Sequence, residues 1–461
     1  MQTATASNAW AADRHVLLER FRRARARSKA IFDLVRTEDR VSRPIPLRHP
    51  IIFYEGHIPV FYVNTILGKG LGRPGIDPAL ERLFARGIDP EDEAAAAKRS
   101  IAVWPARDVL EEYIRRADRA IEDVLQSDDL VRATSPAMAA GEAVFTALEH
   151  EAMHQETLLY ILHRLPRGSL APSPLSGPFL RGEPGSQGES LGSPASALSS
   201  PVRIPAGPAW LGTDLSRFEF GWDNEFEPHE VEVKAFALDV HDVSHREFLA
   251  FLQAGGYEPT APWWTPGDRD WLSRERIEHP PFWHRRDGRW FYRGFFEDFP
   301  LPLSWPVYVT HAEASAYARW KGGRLLSEPE YQRAAFATPD GDHRTFPWGH
   351  EPPDRTRGNF DFWRCDPAPV GSWPAGASAW GIEDLVGNGW EWTSTVFAPF
   401  PGFEPMASYP EYSADFFDGQ HYVMKGASPV TARELLRPGF RNWFRPQYPY
   451  VYATFRLAWD D

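Results

Sequence analysis

Glu149-His150-Glu151-Ala152-Met153-His154-Gln155-Glu156-Thr157 lies inside an apolar-periodic run from Ala139 to Leu165, and Pro166 and Gly168 end that run. The period reads as one amphipathic helix with a stop signal behind it. A helix turns every 3.6 residues, so His150 and His154 fall on one face a turn apart, where two imidazole nitrogens can meet on one ion. The stretch therefore decides two things: the N-terminal half is helical, and its last helix is a candidate for metal binding. Surface histidines on an amphipathic helix are the plain alternative, in a chain with 15 His.

Working outward, the segments Asp13 to Val35 (apolar at Val16, Leu17, Phe21, Ala24, Ile31 and Leu34) and Val109 to Leu125 (Val109, Tyr113, Ile114, Ile121, Leu125) repeat the pattern. A further apolar stretch, Ile51 to Leu67, is interrupted by Gly56 and Pro59, so a helix there is expected to begin or bend at that point. Three or four helices of this length predict a bundle over residues 1–165. Residues 166–201 are dominated by Pro, Gly and Ser and read as a linker or an ordered wrap. From residue 202 to 461 short alternating runs, such as Glu230 to Leu238, Tyr422 to Lys425 and Ala453 to Ala458, lie between turn residues. Helical stretches His245 to Gln253 and His311 to Trp320 interrupt them, the second closing on Gly322-Gly323 as a C-cap. All but two of the 19 Trp lie after residue 200, and the pattern predicts an irregular α+β domain behind the bundle.

Composition narrows the function. The 461 residues are 43% hydrophobic and 25% charged, with a formal net charge of −13, which argues against a nucleic-acid footprint. Cys365 is alone, so no internal disulfide is expected. Without a long apolar run or a basic-then-apolar leader, the expectation is a soluble cytoplasmic protein with no membrane partner. Composition says nothing of oligomeric state.

His150-Glu151-Ala152-Met153-His154 also spells H-E-x-x-H, in which the Glu serves zinc hydrolases as general base. No downstream ligand set accompanies it, so a hydrolase is a remote alternative. A facing helix of a bundle can supply a third ligand, and the candidate is His57 in Phe53-Tyr54-Glu55-Gly56-His57. Three neutral histidines leave coordination positions open and neutralise none of the cation's charge. That suits a divalent metal which takes an anionic sulfur or selenium donor, an imidazole and O2 together. A buried histidine satisfied at both nitrogens is the plain reading of His57 taken alone.

The His57 segment, the helix around His150 and the later half together resemble the ergothioneine-type sulfoxide synthases. In that family a DinB-like four-helix bundle precedes a domain shared with the formylglycine-generating enzymes, of C-type-lectin-like form. The second-domain resemblance is carried by Arg203-Ile204-Pro205-Ala206-Gly207, Trp222-Asp223-Asn224-Glu225, Gly323 to Glu330 and Phe346-Pro347-Trp348-Gly349. Its strongest piece is Gly381-Ile382-Glu383-Asp384-Leu385-Val386-Gly387-Asn388-Gly389-Trp390-Glu391-Trp392-Thr393. Formylglycine formation uses paired cysteines and is excluded by the lone Cys365.

The resemblance implies non-haem Fe(II) on His57, His150 and His154, and three small-molecule substrates: hercynine, a thiol or selenosugar, and O2. It implies a proton-donating tyrosine in Ser408-Tyr409-Pro410-Glu411-Tyr412-Ser413, with Tyr409 as donor and Tyr412 hydrogen-bonding substrate or water, or the two exchanged. In Pro438-Gly439-Phe440-Arg441-Asn442-Trp443-Phe444, which resembles the betaine-contacting segment, Asn442 would bond the carboxylate and Trp443 face the trimethylammonium group; Arg441 and Phe444 belong to the same substrate-binding set. Two departures bear on the donor. Members that use γ-glutamylcysteine carry an acid where Phe444 stands and a polar residue where Met153 stands, and an apolar residue cannot neutralise a buried ammonium. Glu55-Gly56-His57 and Leu83 to Asp89 resemble the ovothiol branch and selenoneine synthase more closely, which makes an uncharged selenosugar the expected donor and cysteine or γ-glutamylcysteine the alternative. Lys69 and Arg73 in Gly68-Lys69-Gly70-Leu71-Gly72-Arg73 could reach a donor, with a solvated loop as the plain reading.

Overall fold

The structure, a computed structural model, describes residues 14–85, 103–170 and 200–461. Residues 86–89 of the Leu83–Asp89 run, and 171–199 of the Pro/Gly/Ser-rich segment, lie outside the described residues. Two compact units are present. One contains the helical N-terminal part together with Pro405–Tyr412; the other contains the rest.

In the first unit α1 (Arg14–Phe32), α2 (Ile51–Tyr62), α4 (Arg107–Gln126) and α5 (Glu142–Leu162) form on the expected segments, and a short α3 (Pro78–Phe84), capped by Asp77, was not anticipated. Contacts between α1 and α5, α5 and α2, α2 and α4, and α4 and α1 close a four-helix ring. The periodicity predicts these helices but misplaces parts of their faces. Val16 and Val109 are exposed, at 45% and 46%, while their neighbours Leu17 and Leu110 are buried. Packing chose the phase.

Helix α2 corrects the expectation of an interruption. It begins at Ile51 and runs through Pro59, with every residue buried. Proline deletes one i→i−4 bond, and a helix surrounded on all sides by packed side chains has no solvent-facing alternative for its backbone. The irregularity comes later, where Val63–Gly70 widens into a π-helix that contains Lys69, with Leu71 N–H donating to Ile66 C=O at 3.0 Å. Among the described residues no helix is long and apolar enough to cross a membrane.

The second unit holds two four-stranded sheets, a two-stranded ribbon of β2 (Gly207–Leu211) with β3 (His229–Val233), and a three-stranded sheet of β5 (Trp283–Arg286), β6 (Arg289–Arg293) and β7 (Asp298–Pro300). One four-stranded sheet has the order β1 (Val202–Ile204), β4 (Phe236–Leu238), β13 (Leu457–Asp460), β8 (Arg324–Leu325) and is antiparallel. The other runs β11 (Asn442–Phe444), β10 (Tyr422–Ala427), β9 (Gly389–Val396), β12 (Ala453–Thr454), with β12 parallel to β9. Two of the expected strands are each split in two. Glu230 to Leu238 divides into β3 (His229–Val233) and β4, and Ala453 to Ala458 into β12 and β13, the halves joining different sheets. Helices α6 (His245–Gln253) and α8 (His311–Lys321) form as expected, the latter capped by left-handed Gly322 at φ 74°. Helices α7 (Pro266–Glu275) and α9 (Glu328–Phe336) were not anticipated. The signal for α9 was present: Ser327 and Glu330 make a capping box. Ile204, Phe236, Leu238, Leu326, Ala334, Leu385 and Ala458 share one core cluster.

Candidate metal centre

Helix α5 places His150 and His154 one turn apart, and α2 brings His57 against them. His150 Nε2 lies 3.3 Å from His57 Nε2 and 3.1 Å from His154 Nε2. Among the described residues this trio is the group whose ligand atoms, all within 4.8 Å of one another, could hold a metal ion. Two nitrogens sharing an ion at about 2.1 Å each would have such separations.

The tautomer of His57 is set by its neighbour. Its Nδ1–H donates to Phe84 C=O at 2.7 Å, so Nε2 carries the lone pair that faces the other two rings. Gly56 makes that approach possible, because a Cβ there would stand 2.6 Å from the Phe84 ring. Burial pushes the His57 imidazole down to about 4 and holds His150 and His154 well below their ordinary value, so all three are neutral at pH 7. Nδ1 of His150 and of His154 is buried without a partner among the described residues. Three neutral imidazoles converging on one point suit a divalent transition-metal ion such as iron, copper, nickel or zinc. The donor set fits a metal.

Aromatic rings wall the trio. Phe61 stacks on His150 with centroids 3.5 Å apart and planes 9° from parallel, Phe53 stacks on His57 at 5.1 Å, and Tyr54 lies 5.4 Å from His154. The Pro405–Tyr412 segment belongs to this unit, and it puts the Tyr409 ring 5.2 Å from Phe61 and 6.0 Å from His150. Tyr412 stands 5.8 Å from Tyr409, and its hydroxyl donates to Met153 Sδ at 3.3 Å. Lys69 was read as part of a solvated loop; instead its Nζ donates to Ser408 C=O at 2.9 Å. Arg73, also read there, pairs with Asp129.

Glu151 does not sit where a hydrolytic base would. It is wholly buried, and its carboxylate accepts from Arg25 at 2.8 Å, Ser28 at 2.6 Å and Tyr62 at 2.9 Å. The residue after a ligand on a helix points about 100° away, here into the contact of α5 with α1 and α2. The H-E-x-x-H hydrolase reading loses its base.

The remaining candidates occupy the second unit. Asn442, Trp443 and Phe444 form β11, half-buried, paired with Met424, Val423 and Tyr422. The Trp443 ring stacks on Phe397 at 4.1 Å and 7°, and Phe444 stacks on Tyr448 at 4.7 Å. Asn442 Oδ1 accepts from the Trp443 N–H at 2.9 Å. Arg441 is 2% exposed, and its guanidinium is held by Glu328 at 3.0 and 3.1 Å and by the carbonyls of Asn224 and Ala398. That arrangement makes it a support for β11 rather than a direct contact. The structure thus gathers His57, His150, His154, Met153, Tyr409 and Tyr412 in the first unit, and Arg441, Asn442, Trp443 and Phe444 in the second. Phe61, Phe84, Thr146 and Ser408 were not singled out by sequence; the i+4 spacings of Phe61 from His57 and of Thr146 from His150, and the place of Ser408 beside Tyr409, are the signals that could have suggested three of them.

Comparison with known proteins places both units. The DinB superfamily matches residues 20–158, and the sulfatase-modifying factor enzyme 1-like domain matches residues 187–461. "Hercynine oxygenase" of Mycolicibacterium smegmatis is 34% identical over 427 residues, covering 90% of this chain and 92% of that one. The protein of the same name from Mycolicibacterium thermoresistibile is 35% identical over 423 residues, covering 90% and 88%. "Ergothioneine biosynthesis protein 1" of Neurospora crassa is 28% identical over 508 residues, covering 92% of this chain but 55% of its own length. The three-histidine cluster is a fitting place for a metal cofactor. With both halves matched in this order, and relatives above 30% identity covered nearly end to end, the chain belongs to the ergothioneine-type sulfoxide synthase family of hercynine oxygenases and is an oxidoreductase.

Proposed function

We propose that this chain is an O2-dependent non-haem Fe(II) enzyme that joins sulfur or selenium to imidazole C2 of hercynine and oxidises the chalcogen. The balance is C2–H + R–SH + O2 → C2–S(=O)–R + H2O, with selenium replacing sulfur in the selenol case. Four electrons leave the two substrates and reduce O2, one oxygen ending on the chalcogen and the other in water. The observation that carries the reading is the convergence of three neutral Nε2 atoms. Iron, when bound by His57, His150 and His154, supplies redox chemistry with O2 and open positions for an anionic donor.

The chain's own residues do the rest. The Phe84 carbonyl keeps His57 in the ligating tautomer. Phe53, Phe61 and Tyr54 exclude water from the ligands. Tyr409, beside His150, holds the proton delivered during oxygenation, and Tyr412 orders substrate or water next to it. Asn442 bonds the betaine carboxylate, and Trp443 offers its face to the trimethylammonium group, worth about 0.5–2 kcal/mol.

For the donor, apolar Met153 and Phe444 favour an uncharged selenosugar over an amino-acid thiol, because neither can pair with a buried ammonium. A sulfur donor, cysteine or γ-glutamylcysteine, is the second reading, since a relative's name concerns ergothioneine biosynthesis. The test is incubation with Fe(II), hercynine and air against cysteine, γ-glutamylcysteine, thioglucose and selenoglucose, with mass spectrometry of the adducts. No C2 adduct from any donor rejects the function. Adducts from the amino-acid thiols in clear excess over the sugars reject the donor argument alone.

A further inference from the structure

Ser408 is fully buried, and the helical unit takes up each of its polar groups. Its N–H donates to Glu142 Oε1 at 2.7 Å, and its carbonyl accepts from Lys69 Nζ at 2.9 Å. Its Oγ lies 2.9 Å from Oγ1 of Thr146, another residue with no exposed surface. Glu142, Thr146, His150 and His154 are successive i+4 positions of α5. The helix that carries two of the candidate ligands therefore also carries two of the three anchors of Ser408, about 6 Å of rise apart at each step. The third anchor, Lys69, sits in the π-helical widening at the end of the helix that carries His57. Its own carbonyl is held by Ser135 Oγ at 2.9 Å.

Residues Pro405–Tyr412 contain neither helix nor strand. Such a segment cannot by itself hold a side chain to the tolerance that proton transfer needs, a heavy-atom approach of about 2.6–3.2 Å. Three hydrogen bonds at Ser408, the residue immediately before Tyr409, supply what regular structure does not. Because the anchors and the ligands share rigid helices, the anchors set the distance from the Tyr409 phenol to the histidine cluster.

From this geometry we infer that Thr146, Ser408, Glu142 and Lys69 form a clamp whose role in the reaction is to position Tyr409. They are positioning residues that act through Tyr409, and the inference rests on its proton-donor role proposed above. The clamp serves the oxygenation step and leaves hercynine and metal binding alone.

The test uses the full chain loaded with Fe(II) and compares Thr146→Val, which keeps the shape and removes the hydroxyl, with Thr146→Ser, Ser408→Ala, Lys69→Met and Tyr409→Phe. Iron content, melting temperature, kcat, the KM for hercynine and the product distribution are read for each. Thr146→Val and Ser408→Ala are expected to lower kcat about ten- to a hundredfold, with iron content and KM unchanged and products shifted in the same direction as in Tyr409→Phe. Thr146→Ser restores turnover. Combining Thr146→Val with Tyr409→Phe lowers kcat no further than Tyr409→Phe alone, which a merely structural tether would not produce. A slow Tyr409→Phe beside a normal Thr146→Val, or losses that multiply in the double variant, overturns the clamp and leaves the tyrosine's role standing. A normal Tyr409→Phe rejects both. Should Thr146→Val fail to fold, Lys69→Met, altered at a largely exposed position, carries the same comparison.

Discussion

Replacing Gly56 by alanine is expected to weaken metal binding although Gly56 is not a ligand. A Cβ at this position would stand 2.6 Å from Cδ1, Cε1 and Cζ of Phe84, about 1 Å inside ordinary carbon–carbon contact. Phe84 is completely buried, with Phe53 and Trp104 at centroid distances of 6.1 and 6.0 Å. The ring cannot turn away without displacing them, so the backbone of Phe84 yields. Its carbonyl holds His57 Nδ1 at 2.7 Å, and a shift of about 1 Å carries that pair beyond hydrogen-bond length. Loss of such an outer partner costs roughly 10–100-fold in metal affinity. The stability effect is smaller. Overpacking costs about 1–3 kcal/mol, and about 1 kcal/mol is recovered by replacing a helical glycine with alanine, leaving a net loss of about 0–2 kcal/mol. The assay is anaerobic competition titration of Fe(II), with thermal melts alongside. Gly68→Ala is the control, since a Cβ there meets nothing nearer than Val63 O at 3.9 Å. Metal affinity in Gly56→Ala indistinguishable from that of Gly68→Ala would refute the reasoning.

Three other predictions concern Glu151, Trp443 and His245. Glu151→Gln removes the charge that pairs with Arg25, a loss of up to about 3–5 kcal/mol for a buried pair, moderated here because Asp118 still binds Arg25 at 2.8 Å; denaturant unfolding measures it, and a variant of normal stability that binds metal but has no activity would restore a base role to Glu151. Trp443→Leu removes the aromatic face, and the KM for hercynine is expected to rise about 2- to 30-fold, the equivalent of about 0.5–2 kcal/mol, with metal content unchanged; an unaltered KM rejects the betaine contact. Burial pushes His245 and His311 down to about 3, so between pH 6.5 and that value the unfolded chain binds protons which the folded chain does not. Stability therefore falls as pH falls through this window, by at most about 1.4 kcal/mol per pH unit for each histidine. Buried Glu313, pushed up to about 7, acts in the opposite sense. The informative measurement is thus the difference in slope between wild type and His245→Asn, which is expected to be flatter; equal slopes would show that His245 is not neutral in the fold.

Much of the centre was legible because it depends on local geometry. Histidines four apart on a helix share a face whatever surrounds them, and the run that contains them announces its helix and its end. The same local logic found α6 and α8 at their N-termini and the Gly322 cap. It failed where the answer depended on neighbours. Val16 and Leu17, or Val109 and Leu110, are equally apolar, and only the packing of four helices chose which of each pair turns inward. Pro59 reads as an interruption because the rule concerns the isolated chain, whereas in α2 every residue is enclosed. The hydrolase spelling around Glu151 came from sequence adjacency, yet adjacency on a helix is a rotation of about 100° away from the ligands.

By itself the sequence determined that a helical half carries an i, i+4 histidine pair, that a Trp-rich α+β half follows, and that its single cysteine has no internal partner for a disulfide. Those conclusions rest on periodicity and composition, which need no partner. The tertiary structure alone decided that His57, 93 residues before His150, meets it at 3.3 Å, that the carbonyl of Phe84 sets its tautomer, and that Ser408, 262 residues after Thr146, hydrogen-bonds to it. Contacts of that range are fixed by how separate elements pack against one another, and no stretch of sequence short enough to be read as a motif contains both partners.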